Sequence, residues 1–297
     1  MIGNSSSTAI SDQPSRLSGT APELRRDPLS GRLVVIAPGR ARRPGAFPDL
    51  EPPPDPDELE QCPFCAGREH RTPPETLRLP ANGSWEVRVV PNLYPAFERQ
   101  EVVVHAPKHL RSLADLDDAR VELVARAWQA RAEVAGAEGF PYIHAVVNEG
   151  RAAGSSLPHT HSQLVWLREP PPAVVTERGA GAAVLAGELV FERSGITAVC
   201  PHASAVPYEL RIAPSAEERG AFASPVLAAA LQAAAELVRR LHTLEGRPVP
   251  LNLWLHDGPW WHIDLVPRLT VTAGIELGAG IFVNQLPPGE AAARLRG

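Results

Sequence analysis

Pairs of landmark residues recur along this 297-residue chain at nearly one spacing, and this repetition constrains the fold more than any other feature. The pairs are Pro107 and Pro214, Asn148 and His256, and His159 and His262. The two members of each pair are roughly one hundred residues apart. Such a period predicts a duplicated α+β unit in which each copy packs one long helix on an antiparallel sheet. The alternative is coincidence, because strands that end at Pro or His are common.

Strand and helix patterns support an α+β class. The 32 prolines are too many for an all-helical protein and favour short strands and turns. Helical spacing of apolar residues covers Leu116–Val134 and Val226–His242. Strands are predicted at Leu33–Ile36, Trp85–Val90, Glu101–His105, Ile143–Val147, Gln163–Leu167, Leu189–Glu192, Ile196–Val199, Glu209–Pro214, Leu251–Leu255 and His262–Val266.

Composition excludes several classes of function. A net charge of -5 does not fit a nucleic-acid-binding protein, which needs clustered positive charge. No apolar run is long enough for a transmembrane helix, so we expect no membrane partner. Residues 1–22 are rich in Ser and Gly without an apolar signal core, and we interpret them as a disordered leader. With only three cysteines, the chain is expected to be a soluble cytoplasmic protein.

The strongest chemical signal is the run His-Thr-His-Ser-Gln, which follows a Gly-Ser-Ser turn. In an extended segment His159, His161 and Gln163 share one face, because side chains alternate. A neutral imidazole attacks phosphorus readily, and the resulting phosphoramidate is reactive enough to pass its group on. Gln163 and the turn residues Ser155 and Ser156 can donate hydrogen bonds to phosphate. A histidine-rich strand edge without any role is the alternative, which would suit a lone His better.

A second signal is the C-x-x-C formed by Cys62 and Cys65. Two thiolates two residues apart on a turn can both reach a tetrahedral zinc ion, which then needs two further ligands. The alternatives are an unmetallated turn and a redox pair. The histidines that could complete such a site are His70, His105, His109, His144 and His159.

Weaker signals lie on either side of these motifs. The basic loop that carries Arg40 and Arg43 can neutralise phosphate, or it can be a solvated run of charge. Asn92 and Asn148 each follow or end a strand. Either could hydrogen-bond a nucleoside, and either could equally form a turn.

A cluster of aromatic and titratable residues marks the second half of the chain. Its members are His256, Trp260, Trp261, His262 and Asp264. They could form a degenerate metal site, a ligand wall or simple packing. We favour the last two interpretations.

In this order, the motifs resemble those of the galactose-1-phosphate uridylyltransferases, a branch of the histidine-triad superfamily. The resemblance extends from about Glu23 to Gly297. It rests on five motifs, at Arg25–Gly31, Arg40–Pro44, Cys62–Cys65, Asn92–Pro95 and His159–Gln163.

The resemblance implies two fused histidine-triad-like halves, which we place at residues 23–175 and 176–297. It implies that only the first half keeps the nucleophile, His161, since Asp264 stands at the matching position of the second. A nucleotidyl-histidine would form on His161, with Gln163 assisting. A structural zinc ion beside it would be held by the four ligands Cys62, Cys65, His109 and His159.

Substrate contacts also follow from the resemblance. Arg40 and Arg43 match phosphate or nucleotide contacts, donated across the interface of an expected homodimer. The positions that match nucleotide contacts are Asn92, Asn148, Ser156 and Gln163, with Ser155 in the same turn. An iron-type second metal site of some members is incomplete here, because Asp264 replaces a histidine beside His256 and His262.

Two departures leave the substrates open. Leu93 replaces an Asp in the nucleoside loop, and the segment 273–284 lacks the Lys-Phe pair of the best-known members. That segment looks more like a divergent branch that includes a plant enzyme transferring AMP from ADP-glucose to phosphate.

The leading hypothesis is a ping-pong nucleotidyltransferase of galactose metabolism. It would move UMP from UDP-glucose to galactose 1-phosphate through His161, so the partners are a nucleotide sugar and a sugar 1-phosphate. The runner-up is an ADP-sugar phosphorylase that uses phosphate as acceptor. A non-catalytic nucleotide-sugar-binding protein is the third possibility.

Overall fold

A computed structural model of the protein describes residues 21–42, 56–177, 179 and 181–297. Most of the leader predicted for residues 1–22 lies outside this part of the chain, and so does Arg43. Within the described residues, no helix combines the length and the apolar character needed to cross a membrane.

Thirteen strands are present in the described residues. In chain order they are β1 (Glu23–Arg26), β2 (Leu33–Ile36), β3 (Leu77–Leu79), β4 (Val87–Pro91), β5 (Arg99–Val104), β6 (Tyr142–Glu149), β7 (His161–Leu167), β8 (Gly187–Arg193), β9 (Ile196–Pro201), β10 (Leu210–Pro214), β11 (Leu251–His256), β12 (His262–Pro267) and β13 (Ile281–Asn284). The α-helices are α1 (Pro56–Gln61), α2 (Asp118–Ala137), α3 (Pro172–Thr176), α4 (Leu227–Glu245), α5 (Gly274–Ala279) and α6 (Pro288–Arg296).

Ten strands form one antiparallel sheet in the order β3-β4-β5-β7-β6-β11-β12-β10-β9-β8. Read from each edge towards the middle, the two halves of this order repeat the same connections. The central pair β6 and β11 joins the halves, with Val146 opposite Trp254. This arrangement confirms the α+β class and the two fused halves, whereas the boundary drawn between residues 175 and 176 stays a prediction.

Helices α2 and α4 cover one face of the sheet, which explains their apolar spacing. Trp128 of α2 and Leu237 of α4 are both fully buried in the main core, together with Leu164 of β7. The carboxylate of Asp117 caps α2 by accepting from the backbone N–H of Arg120. Gly246 ends α4 in the left-handed conformation. The opposite face of the sheet is therefore left for the site.

Part of this opposite face is covered by a small second sheet of order β1-β2-β13. Strand β13 runs parallel to β2 and so brings the C-terminal segment against the N-terminal one. Val34 and Ile36 of β2 pack on Ala203 and Ala205 of the second half. Of this small sheet, only β2 is among the strands that the sequence patterns predicted.

Candidate active site and metal centre

The two halves of the sheet expose polar side chains on the face opposite the helices. In β7, His161 lies opposite Val104 of β5, and Gln163 lies between Val102 and Val146. Leu164 points to the other face, into the helix-covered core. The predicted alternation along His-Thr-His-Ser-Gln is therefore present, and it places His161 and Gln163 side by side.

The geometry of His161 suits a nucleophile. Its Nδ1–H donates to the carbonyl of His159 at 2.7 Å, which leaves the lone pair on Nε2 available for attack. The ring is 8% exposed and contacts the edge of Phe64, with 5.4 Å between centroids. This burial lowers the pKa of His161, although the hydrogen bond to His159 opposes the shift. A neutral imidazole thus lies on the face of the sheet opposite the helices.

Beside His161, the four side chains assigned to zinc lie together. The Cys62 Sγ atom is 3.4 Å from His159 Nδ1, and the Cys65 Sγ atom is 3.5 Å from His109 Nδ1. All four ligand atoms lie within 4.8 Å of one another. In a tetrahedral zinc site with the usual bond lengths, sulfur and nitrogen ligands are about 3.5 Å apart. The residues therefore fit a zinc ion.

Further contacts orient the histidine ligands. The Nε2–H of His159 donates to the Ala106 carbonyl at 2.9 Å, and Nε2 of His109 is 2.8 Å from Glu58 Oε1. Each bond fixes the tautomer that leaves Nδ1 free for a metal. Burial, with the neighbouring Cys62, raises the pKa of Cys65 to about 12. Without a cation the Cys65 thiol stays protonated, so both cysteines become thiolates only when a cation lies between them.

Gln163 has its carbonyl oxygen already engaged. Its Oε1 accepts from Gln100 Nε2 at 2.6 Å and from Asn92 Nδ2 at 3.5 Å. The amide N–H groups of Gln163 are consequently directed away from this pair, and they can donate to a phosphate oxygen. Asn92 also caps its own loop by accepting from the Tyr94 N–H, so it forms a turn as well. Gln100 was not identified from the sequence.

Asn148 lies on the same face, where it meets the second half. Its Oδ1 accepts from Asn252 Nδ2 at 2.8 Å, and the same Asn252 group donates to the Ala153 carbonyl. Asn252, which sequence reasoning missed, connects β11 to the loop before β7. In that loop the Ser155 hydroxyl donates to the Leu157 carbonyl, whereas Ser156 is exposed. Both serines line a cleft next to Cys62.

The structure does not place Arg40 in that cleft. Arg40 is exposed and lines a separate cavity with Thr270, Glu276 and Phe282 of the C-terminal segment. Its predicted role as a phosphate contact stays a prediction. The same prediction for Arg43 falls outside the described residues.

A second group of potential metal ligands lies on the half that carries Asp264 at the position matching His161. Glu177, His256 and His262 place their donor atoms within 4.8 Å, and all three residues are buried. The sequence pattern contained both histidines but gave no signal for Glu177. The ring of His262 donates from Nδ1 to a carbonyl, so its buried Nε2 is a bare lone pair without a hydrogen bond. Two histidines and a carboxylate can hold a divalent cation.

Asp264 has a different partner. Arg211 Nε donates to its Oδ1 at 2.8 Å, and both side chains are nearly completely buried. Although burial alone would raise it, the pKa of Asp264 is held far below its usual range by the positive charge of Arg211. Asp264 therefore carries a compensated negative charge at the position that matches His161.

The chain is similar to known proteins in both sequence and structure. Residues 93–171 match the family model of the galactose-1-phosphate uridyl transferase N-terminal domain. An ADP-glucose phosphorylase of Arabidopsis thaliana is 29% identical, with 93% of each chain covered. A galactose-1-phosphate uridylyltransferase of Thermotoga maritima is 23% identical over 92% of this chain and 98% of its own. The crystal structure of an Arabidopsis thaliana ADP-glucose phosphorylase with bound ADP-glucose superposes with a TM-score of 0.80, at 26% identity over 93% of this chain and 99% of that one.

Proposed function

We propose that this chain, whose residues 93–171 match the family model of the galactose-1-phosphate uridyl transferase N-terminal domain, transfers a nucleoside monophosphate by way of a covalent bond to His161. The observation that carries the proposal is the neutral imidazole of His161, whose Nδ1–H donates to the His159 carbonyl and so leaves the Nε2 lone pair free. Such a group can attack phosphorus without first losing a proton.

The donor is a nucleotide sugar of the ADP-glucose class, and the acceptor is inorganic phosphate. Support comes from a relative called ADP-glucose phosphorylase, which matches this chain over nearly its whole length. The solved structure with bound ADP-glucose has the same fold at a similar identity. This replaces UDP-glucose and galactose 1-phosphate as the leading hypothesis.

Two displacements at the α-phosphorus complete the reaction. In the first, His161 Nε2 forms a bond to the α-phosphorus of ADP-glucose, and glucose 1-phosphate leaves with the electrons of the broken P–O bond. In the second, an oxygen of inorganic phosphate attacks the same phosphorus, His161 leaves as neutral imidazole, and ADP is released. Both displacements concentrate negative charge on the same phosphoryl oxygens, so one set of donors stabilises both.

The surrounding residues hold this site in place. The carbonyl of His159 retains the Nδ1 proton of His161 and stabilises the positive charge that the ring gains on attack. Gln163 donates its amide N–H to a phosphoryl oxygen, since its carbonyl is held by Gln100. A zinc ion held by Cys62, Cys65, His109 and His159 would supply a structural cross-link rather than a reacting water, because all four positions are taken by protein ligands.

A second candidate is transfer of UMP from UDP-glucose to galactose 1-phosphate. The match of residues 93–171 to the uridyl transferase model favours it. The same His161 chemistry applies, and only the base and the acceptor differ. A homodimer is expected for either activity.

The experiment is a matrix of two donors, ADP-glucose and UDP-glucose, both labelled in the α-phosphate, against two acceptors, phosphate and galactose 1-phosphate. We expect ADP-glucose with phosphate to give the fastest turnover and labelled ADP as product. Faster turnover of UDP-glucose with galactose 1-phosphate would support the second candidate instead. Donor binding without turnover on either acceptor would identify a binding protein. The same matrix is then run on His161→Asn. His70→Asn, at an exposed histidine of the same half, is its matched control.

A further inference from the structure

The nucleophile strand has a second, hidden polar face. Thr160 and Ser162 alternate with His161 and so point away from the substrate side, into the helix-covered core. There they meet His105, which is completely buried. Its Nδ1 is 3.1 Å from the Thr160 hydroxyl oxygen, and its Nε2 is 3.0 Å from the Ser162 hydroxyl oxygen. One imidazole thus bridges two residues that flank the nucleophile.

Helix α2 completes the arrangement. The indole N–H of Trp128 donates to the Ser162 hydroxyl oxygen at 2.8 Å, and Trp128 is itself completely buried. Each polar side-chain atom of His105, Thr160, Ser162 and Trp128 has a partner within this group. A buried network in which every side-chain nitrogen and oxygen has a partner favours a single geometry, because a shift would leave one of these atoms unpaired.

This network lies where the sheet stops holding the strand. His161 is the first residue of β7 and pairs with β5, whereas pairing with β6 begins only at Ser162. Thr160 is instead held by isolated backbone bonds, to the Leu110 carbonyl and from the His105 N–H. The direction of the His161 ring consequently depends on contacts outside the regular ladder.

The second half of the chain provides an internal comparison. In the pairing register, Ile212 lies opposite Ile263 of β12, as His105 lies opposite Thr160. The helix-facing residues of β12 are Ile263 and Leu265, and all three of these apolar residues are completely buried. Apolar packing therefore suffices at this place in the half where Asp264 matches the nucleophile. The polar group occurs in the half that carries His161.

We propose that His105 is a positioning residue for the transfer, which holds the His161 ring in line for attack. It does so by hydrogen bonding to the hydroxyls of Thr160 and Ser162 on the helix-facing side of the strand, an arrangement that we call the clamp. This rests on the proposed function of His161. His105 does not touch substrate, so loss of the clamp slows bond formation at the α-phosphorus without weakening donor binding. A misplacement of about 1 Å at a reacting group can cost about 100-fold in rate.

The test uses Thr160→Val, Ser162→Ala and His105→Ile in the zinc-loaded, full-length protein, with single-turnover labelling of His161 by α-phosphate-labelled ADP-glucose. We expect Thr160→Val and Ser162→Ala each to lower the saturated labelling rate about 10-fold, and His105→Ile by about 100-fold. The donor concentration for half-maximal rate stays within about 3-fold. In the double variant with His105→Ile, Thr160→Val adds little, because its partner is already absent.

Thr197→Val is the matched control, since Thr197 is a buried residue of β9 in the other half and its hydroxyl pairs with that of Ser215, just after β10. It should label at the wild-type rate. The proposal is overturned if the three variants label within 2-fold of wild type, if their losses follow zinc content or folded fraction, or if the double-variant effects are additive. Should His105→Ile not fold, Thr160→Val and Ser162→Ala decide alone. If wild type itself takes no label, the proposed function fails and the clamp fails with it.

Discussion

Glu149, at the end of β6, is a buried acid whose ionisation should govern how stability depends on pH. It is 5% exposed, and its carboxylate accepts from the Ser112 hydroxyl at 2.7 Å and from the Leu113 N–H. Burial raises the pKa of Glu149 from its ordinary value of 4.5 to about 7, and the negative charge of Asp115 adds to the shift. Glu149 thereby links the loop after His109 to the strand that carries Asn148.

The direction of the effect follows from proton binding. Between pH 4.5 and about 7 the folded protein keeps a proton on Glu149 that the unfolded chain has released. The contribution of Glu149 to the free energy of unfolding is therefore fully present below pH 4.5 and is lost as the pH rises through 7. Each unit of pKa difference between the folded and unfolded states is worth about 1.4 kcal/mol, so the shift of Glu149 corresponds to about 3 kcal/mol of unfolding free energy.

Replacing the acid with its amide removes this dependence. In Glu149→Gln the side-chain oxygen still accepts from Leu113, and the new N–H group can donate to the Ser112 oxygen. We expect the free energy of unfolding of wild type to fall by about 2.5 kcal/mol more than that of the variant between pH 5 and pH 8, because the unfolded chain has already released part of its protons at pH 5. Urea denaturation of the zinc-loaded proteins at both pH values gives this difference.

Glu122→Gln, at an exposed acid of α2, serves as the control and should follow wild type. The reasoning is refuted if Glu149→Gln and wild type lose the same stability between the two pH values. It is refuted equally if the variant is the more pH-dependent of the two.

Three further predictions concern the zinc centre, the phosphate contact and the core. Cys65→Ser should lower zinc content, measured by metal analysis, and slow His161 labelling in proportion; unchanged zinc would contradict the four-ligand site. Gln163→Leu should lower the labelling rate about 100-fold with little change in donor affinity, and a change in affinity alone would argue against a transition-state contact. Leu237→Ala should cost about 2 to 5 kcal/mol in unfolding free energy while labelling per folded molecule stays constant.

Local patterns predicted much of the fold and the alternation along β7. Alternation placed His161 and Gln163 on one face, and helical spacing located α2 and α4 to within a few residues. Both are consequences of backbone geometry acting over short stretches, so the sequence carries them directly. The expected set of four zinc ligands needed the family resemblance, because the C-x-x-C alone left five histidines as candidates.

Other parts of the site depend on contacts between distant segments, which leave no local pattern. Glu177 reaches His256 across 79 residues, and Asn252 reaches Asn148 across 104. Strand β13 has no partner near it in the chain and pairs with β2. His105 was considered only as a zinc ligand, whereas it lies on the opposite face of the sheet and binds hydroxyl groups.

Intact-protein mass spectrometry after incubation with ADP-glucose, in the absence of phosphate, tests the central claim most directly. We expect the mass to increase by one adenylyl group, to map to the peptide that contains His161, and to return to its original value when phosphate is added. His161→Asn should stay unmodified, and His70→Asn should behave as wild type. A wild-type protein that turns over its donor without any such adduct, or an adduct that persists in His161→Asn, would contradict the covalent role of His161.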